Sequence, residues 1–408
     1  MLYHAHELQH ATLAPLRLAA EAGQLLFRNP FNPWSHTGYG RAVAAACEVF
    51  EQSTRRRSKP AFGLVTMRVE GREVAVRETV VCRKPFCQLK RFAPEGDREV
   101  PRLLIVAPLS GHFATLLRGT IRTLLPEHDV YITDWRDARM TPLTEGRFEL
   151  DDYIDYVIDF LRLLGPGTHV MAVCQPAVPV LAATALMAAA GDPATPRSMV
   201  LMGGPVDTRV SPTQVNRLAQ QRSLDWFEGA VISRVPYRYP GFLRRVYPGF
   251  VQLTGFMTMN LKLHIDAKAR LFDHLVRGDG DGAAAHRRFY DEYTTVMDLP
   301  AEYYLQTVET VFQNHHLPLG RMSSRGRAVE PAAITETALM TVEGERDDIT
   351  GRGQTRAAHR LCSGIPAARR VHHEQAGVGH YGIFNGRRWR DSIAPRVRDF
   401  IRQSERGR

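Results

Sequence analysis

Lysine is nearly missing from this chain. Five residues of 408 are Lys (Lys59, Lys84, Lys90, Lys262, Lys268), so arginine carries most of the net charge of +10. The arginines form no long block, and neither a zinc-finger spacing nor an RNA-binding signature accompanies them, so nothing in the pattern points to nucleic acid. Cysteine is scarce as well. Cys47, Cys82, Cys87, Cys174 and Cys362 make an odd, unpaired set, which speaks against a disulfide framework and suits free thiols in a reducing cytoplasm. Formal charge is absent from His169 to Gly191, but Gln175, Pro176 and Pro179 interrupt that run and argue against a membrane-spanning helix. The start, Met1 to Glu7, lacks a basic segment followed by an apolar one, so no secretory signal is expected. No internal repeat or low-complexity tract occurs. What remains, 44% hydrophobic and 24% charged, is an ordinary globular balance, long enough for one large domain with insertions or for two smaller ones.

Hydrophobic patterning divides the chain into four stretches. Residues 1–60 read as an N-terminal helical extension packed on the core, with Glu7–Leu26 and Gly38–Arg55 as helices separated by Asn29-Pro30-Phe31-Asn32-Pro33. In residues 61–205, Phe62–Glu70 and Glu73–Cys82 suggest an antiparallel pair turning at Gly71. Strands and helices then alternate: Arg102–Ala107, His112–Leu125, Val130–Asp134, Asp151–Leu164, Val170–Val173, Val178–Ala190, Met199–Met202. This spacing predicts a mostly parallel sheet with right-handed crossovers. Residues 206–330 break the alternation and read as a helical cap rich in aromatics, with Gly278–Gly282 as a turn. In residues 331–408 the α/β pattern resumes with strands Ala338–Val342 and Arg370–His373, and ends in a helix over Pro395–Gln403.

One passage stands out. The apolar run Val170–Val173 stops at Cys174-Gln175, and an Ala- and Leu-rich helix follows. Strand, sharp turn bearing a nucleophile, then helix is the nucleophile elbow of α/β-hydrolases, although Ala172 and Pro176 stand where glycine is usual and Cys174 where serine is usual. Taken alone, such a cysteine is more often a small inert hydrophobe. Further along, the strand ending at Val342 leads into Glu345-Arg346-Asp347-Asp348-Ile349, and the last strand leads into Gly377-Val378-Gly379-His380-Tyr381-Gly382. Nucleophile, acid and histidine in this order, each after a strand, predict an α/β-hydrolase fold and a Cys-His-Asp triad at the carboxyl ends of the strands. The oxyanion hole is expected from the backbone N–H of Gln175 together with one from the loop Leu109-Ser110-Gly111. His112 lies near that loop and reads equally as a packing residue. Asp134-Trp135 and Asp151-Asp152 read as structural.

With those residues in view, the chain resembles the intracellular polyhydroxyalkanoate depolymerases that act on poly(3-hydroxybutyrate), along nearly its whole length. The matching passages are Val106–Leu116, Asp129–Trp135, Ala172–Pro176, Leu201–Pro205 and Gly377–Gly382. The resemblance implies Cys174 as nucleophile, His380 as acid and base, and an acid on the pair Asp347-Asp348. Asp347 is preferred because Asp347-Asp348-Ile349 fits an Asp-x-Ile pattern shared with the related polymer synthases. It further implies hydrolysis of the storage polyester in the cytoplasm, with attachment to the granule surface and its coat proteins. This chemistry calls for no cofactor and no metal. Two other readings use the same residues: a polyhydroxyalkanoate synthase-like acyltransferase, whose cysteine is flanked by glycine, and a non-catalytic granule-coat protein.

Overall fold

The computed structural model describes residues 2–69, 71–96, 98–259 and 261–406. A nine-stranded sheet forms its centre. In chain order the strands are β1 (Thr66–Val69), β2 (Arg72–Lys84), β3 (Cys87–Pro94), β4 (Arg102–Val106), β5 (Asp129–Trp135), β6 (His169–Val173) and β7 (Ser198–Met202), followed after the cap by Ala338–Gly344 and Arg370–Gln375. Their spatial order is β1-β2-β3-β5-β4-β6-β7, then Ala338–Gly344 and Arg370–Gln375. The first strands pair antiparallel, and from β5 onward every neighbour is parallel. Apart from β1, this is the order and direction of an α/β-hydrolase core.

Burial explains the parallel part. In β6, β7 and Ala338–Gly344 every residue is buried, as expected for strands covered on both faces. The helices Leu150–Leu164, Ala177–Ala189 and Ala394–Arg406 flank them. Leu150–Leu164 is amphipathic and opens with Asp152 accepting the Glu149 N–H at 2.7 Å, a carboxylate suited to the positive end of a helix. Ala177–Ala189 is apolar all round and buried over most of its length, so it lies inside the molecule.

Two expectations need correction. First, β3 is a strand that the patterning passes over. Its buried positions Cys87, Leu89 and Phe92 alternate with polar ones, and the basic Lys90 reads as surface until Glu78 and Asp134 are brought beside it. Second, His112–Leu125 is not one helix. Gly111 takes a left-handed φ of 113° and its carbonyl accepts the Met297 N–H at 2.8 Å. His112 forms a β-bridge to Val296, and only Arg118–Leu124 is α-helical. The start of this segment is committed to the cap.

The cap holds helices Gln214–Gln221, Leu224–Val231, Gly249–Met259, Leu261–Arg277, Gly280–Tyr293 and Ala301–Thr307. The expected turn at Gly278–Gly282 is shorter than its sequence suggests. Gly278 turns with φ 74°, Asp279 caps the next helix through the Gly282 N–H, and Gly280 is already helical. The N-terminal helices, Leu2–Arg28 and Gly38–Thr54, are bound to the cap by ion pairs. Glu48, buried in the second of them, receives Arg28 of the first and Arg287 of the cap. Arg55 and Arg57 both reach Asp291.

Asp298 anchors the cap to the sheet. Its backbone bonds Asp137 and Ala138, and its Oδ1 accepts the Gly249 N–H at 2.9 Å. Among the described residues no cation pairs with this carboxyl, and burial pushes its pKa up to about 7. The folded chain therefore binds a proton that the unfolded chain has released. The stabilising contribution is complete below the unfolded value of 3.8 and is lost as pH rises through about 7, at ~1.4 kcal/mol per pH unit between the two. Asp298→Asn keeps the acceptor for Gly249 and removes the titration. Its melting temperature should exceed that of the wild type above pH 7 and lose that advantage at pH 5; parallel melting curves at the two pH values would contradict this.

Candidate active site

Cys174 closes β6 in a conformation that few residues other than glycine adopt, with φ 70°. The strain is held from both sides. Its N–H donates to the Met202 carbonyl at 2.7 Å, and its own carbonyl accepts the Ala177 N–H at 3.1 Å. Sequence reasoning looked for glycines beside the cysteine; the structure puts them on the next strand end. A Cβ on Gly204 would lie 2.1 Å from the Ala177 Cβ and 2.9 Å from the Cys174 carbonyl oxygen. Pro176 occupies the N-cap position of the following helix, where a missing N–H costs little. The turn therefore passes close to its neighbour without the usual flanking glycines.

His380 and Asp347 lie beyond the next two strand ends. Their side chains are 4% and 2% exposed, and His380 Nδ1 is 2.7 Å from Asp347 Oδ2. The other carboxylate oxygen, Oδ1, accepts the N–H groups of Ile349 at 3.0 Å and Thr350 at 2.8 Å, which fixes the plane of the carboxylate. Gly203 makes room for the pair. A Cβ there would stand 3.3 Å from His380 Cε1 and 3.4 Å from Asp347 Oδ2. Burial disfavours a charged His380, but the Asp347 carboxylate and then the Cys174 sulfur outweigh it and hold the imidazole well above the usual histidine range. The charge of Asp348 adds to the burial that raises the Tyr293 and Tyr381 hydroxyls.

Residues 203–405 match the protein family described as the PHB de-polymerase C-terminus. The C-terminal half of this chain belongs to the PHB depolymerase family. The matched region includes Asp347 and His380 and begins after Cys174. No curated protein sequence matches the chain. Among solved structures it is similar to an esterase from Thermogutta terrifontis, at 13% identity over 86% of this chain and 99% of that one, with a TM-score of 0.43. It is also similar to a 2-hydroxy-6-oxo-6-phenylhexa-2,4-dienoate hydrolase from a Rhodococcus strain, at 13% identity over 80% and 100%, TM-score 0.45. A monoacylglycerol lipase from Paleococcus ferrophilus aligns at 12% identity over 78% and 99%, TM-score 0.43. The strand order, not these distant likenesses, defines the fold.

The remaining residues of this depolymerase-family site divide clearly. Leu109 donates its N–H to the Gln175 side-chain Oε1 at 3.3 Å. The backbone N–H groups of Ser110 and Gln175 have no acceptor among the described residues. His112 is buried against Phe256 and Tyr293, with its Nε2 2.9 Å from the Tyr293 carbonyl, and burial lowers its pKa to about 4. It packs the cap against the loop. Asp134, also buried, pairs with Lys59 and Lys90, and the Trp135 Nε1–H donates to Ala107 O at 2.8 Å. Both belong to the support of the sheet.

Tyr303 is a residue that sequence reasoning missed. It is buried on helix Ala301–Thr307, stacks on Tyr153 at 5.6 Å, and has its pKa raised by burial and then by neighbours that include Cys174. Nothing in the local pattern of the cap sets it apart from a core tyrosine. Glu343, His372 and Glu374 bring possible metal-ligand atoms within 4.8 Å of one another. Glu343, however, already accepts the N–H groups of Gly353, Thr355 and Arg356, which marks it as a backbone cap.

Proposed function

We propose that this chain hydrolyses the storage polyester poly(3-hydroxybutyrate) through a Cys174-His380-Asp347 triad. The observation that carries the reading is the strained Cys174 whose sulfur, with the paired Asp347 carboxylate, raises the buried His380 across neighbouring strand ends, in a chain whose C-terminal half matches the depolymerase family. A thiolate beside an imidazolium is the reactive form of a cysteine. Its sulfur attacks the ester carbonyl carbon, and the carbonyl electrons move onto oxygen, where the N–H groups of Gln175 and Ser110 receive the charge, the Leu109 N–H being held by the Gln175 side chain. As the C–O bond breaks, His380 gives its proton to the departing hydroxyl. The acyl group remains on Cys174 as a thioester. His380, now neutral, takes a proton from water as the water attacks that thioester, and the sulfur leaves as thiolate beside a restored imidazolium. Asp347 orients the ring and stabilises its charged state. The products are 3-hydroxybutyrate monomers or oligomers.

The test supplies native amorphous granules and, separately, 3-hydroxybutyryl-coenzyme A. Release of 3-hydroxybutyrate from granules supports hydrolysis. Incorporation of the thioester into polymer would transfer the triad to synthesis, and inactivity in both assays would leave a coat protein.

An enzyme working on an insoluble polyester in the cytoplasm also needs a way to hold the granule. Trp226, Tyr237 and Phe242 of the cap are 38%, 84% and 46% exposed, and the surface is arginine-rich. Aromatic rings can pack on apolar polymer while arginines meet anionic groups of the granule coat. Cys174→Ala should therefore still co-sediment with granules. Salt should weaken this only partly, because charge contacts are screened over about 10 Å at 0.1 M and apolar ones are not. A Trp226→Ala change in the same background should lower retention further. Recovery of the inactive protein in the supernatant at low salt would defeat the proposal.

A further inference from the structure

A cavity lies away from the triad. It has a volume of about 1110 Å³ and opens between the N-terminal helices, the end of β5, and the cap helices Gly249–Met259, Leu261–Arg277 and Gly280–Tyr293. Its walls are partly apolar, with Leu13, Val49, Leu253, Met257 and Leu271 among them. Its charge is one-sided: seven arginines and lysines line it against three carboxyls, one of which is the buried, proton-binding Asp298.

Most of those cations are answered by the protein. Arg55 and Arg57 share Asp291, Arg56 pairs with Glu7, Lys59 with Asp134, and Arg139 with Asp137. Lys268 is different. Among the described residues it has no ion pair and no hydrogen bond, and burial followed by the charge of Arg57 lowers its pKa. Arg57 is lowered in turn by burial and by Arg55. A half-buried ammonium beside a guanidinium is costly unless an anion joins them. A basic mouth over apolar walls fits an amphiphile with one negative end.

We propose that this cavity is a binding site, separate from the triad, for a carboxylate on a short ester chain, namely the linear hydroxyacid oligomer released by polyester cleavage. The identity of that oligomer rests on the proposed hydrolytic function; the complementarity of the cavity to a carboxylate amphiphile does not. The carboxylate would meet Lys268 and Arg57, and the chain would lie along Leu253, Met257 and Leu271. A row of rings links the cavity wall to the catalytic histidine: Tyr290 to Tyr293 at 6.1 Å, Tyr293 to Tyr381 at 5.6 Å, and Tyr381 to His380 at 5.7 Å. An oligomer bound here is therefore joined to the place where it is made by the rings of Tyr290, Tyr293 and Tyr381.

The experiment is calorimetric titration of the Cys174→Ala protein with the linear 3-hydroxybutyrate trimer. Binding should weaken at least about tenfold in Lys268→Glu, and to a similar degree when the unmutated Cys174→Ala protein is given the trimer methyl ester, a ligand change that no folding defect can imitate. A trimer held only at the triad would ignore Lys268, so equal affinity in both proteins overturns the site. Competition by inorganic phosphate as strong as by the trimer overturns the amphiphile in favour of a bare anion site. Decanoate binding in place of the trimer overturns the hydroxyacid and leaves fatty acids. The two readings fail separately. Hydrolysis of granules without Lys268-dependent binding removes this site alone; Lys268-dependent binding without hydrolysis removes the polyester assignment and keeps the site.

Discussion

Cys174→Ala is expected to lose hydrolysis of amorphous poly(3-hydroxybutyrate) by a factor on the order of 10⁶, the scale found when the nucleophile of a triad is deleted. The fold should persist, because the bonds that hold residue 174 at φ 70° are made by its backbone N–H and carbonyl. Iodoacetamide should inactivate the wild type in step with alkylation of this one residue. Cys87 and Cys362 are buried, with thiols raised by that burial, so they compete poorly for the reagent. Peptide mass mapping reads the site of labelling directly. Turnover near the wild-type value in Cys174→Ala would end the thioester mechanism.

Asp347→Asn should lower turnover by up to about 10⁴-fold, as expected when a triad acid becomes an amide. The local bonds say why the loss is chemical. The N–H groups of Ile349 and Thr350 require an acceptor at the Oδ1 position. An asparagine that keeps its oxygen there presents an NH₂ group to His380 Nδ1, which imposes the wrong tautomer on the imidazole. Asp348→Asn leaves these contacts in place and should cost far less. Circular dichroism of both variants checks that they fold alike. The reverse ranking would move the role to Asp348.

Much of the site was readable because its parts are local. Cys174 and Asp347 each follow a short, largely apolar run buried on both faces, which needs no knowledge of its partners to be recognised, whereas the strand before His380, Arg370–Gln375, is polar and half-buried. The order of the three along the chain supplied the rest. What could not be read depends on distant residues. Lys90 in β3 looks solvated until Glu78 and Asp134 flank it. Gly204 serves the elbow from another strand, so the box around Cys174 seemed short of small residues. Glu48 lies in a helix that reads as a plain extension of the core, yet Arg287 of the cap holds its carboxylate. Gln175 occupying the Leu109 amide, and Tyr303 stacked on Tyr153, are likewise meetings of segments that no pattern in either segment announces.

The placement of the cap has a consequence for how the chain is made. It interrupts the sheet between β7 and Ala338–Gly344, which are direct neighbours in parallel register. As the chain leaves the ribosome, β7 therefore presents an unpaired hydrogen-bonding edge until the entire cap has been translated. At ~5–20 residues per second that interval is on the order of ten seconds, far longer than a small chain needs to collapse. Through all of it Cys174 exists without His380, so a nascent chain carries a thiol but no esterase. Such an open, apolar edge is a template for wrong pairing until Ala338–Gly344 arrives to cover it.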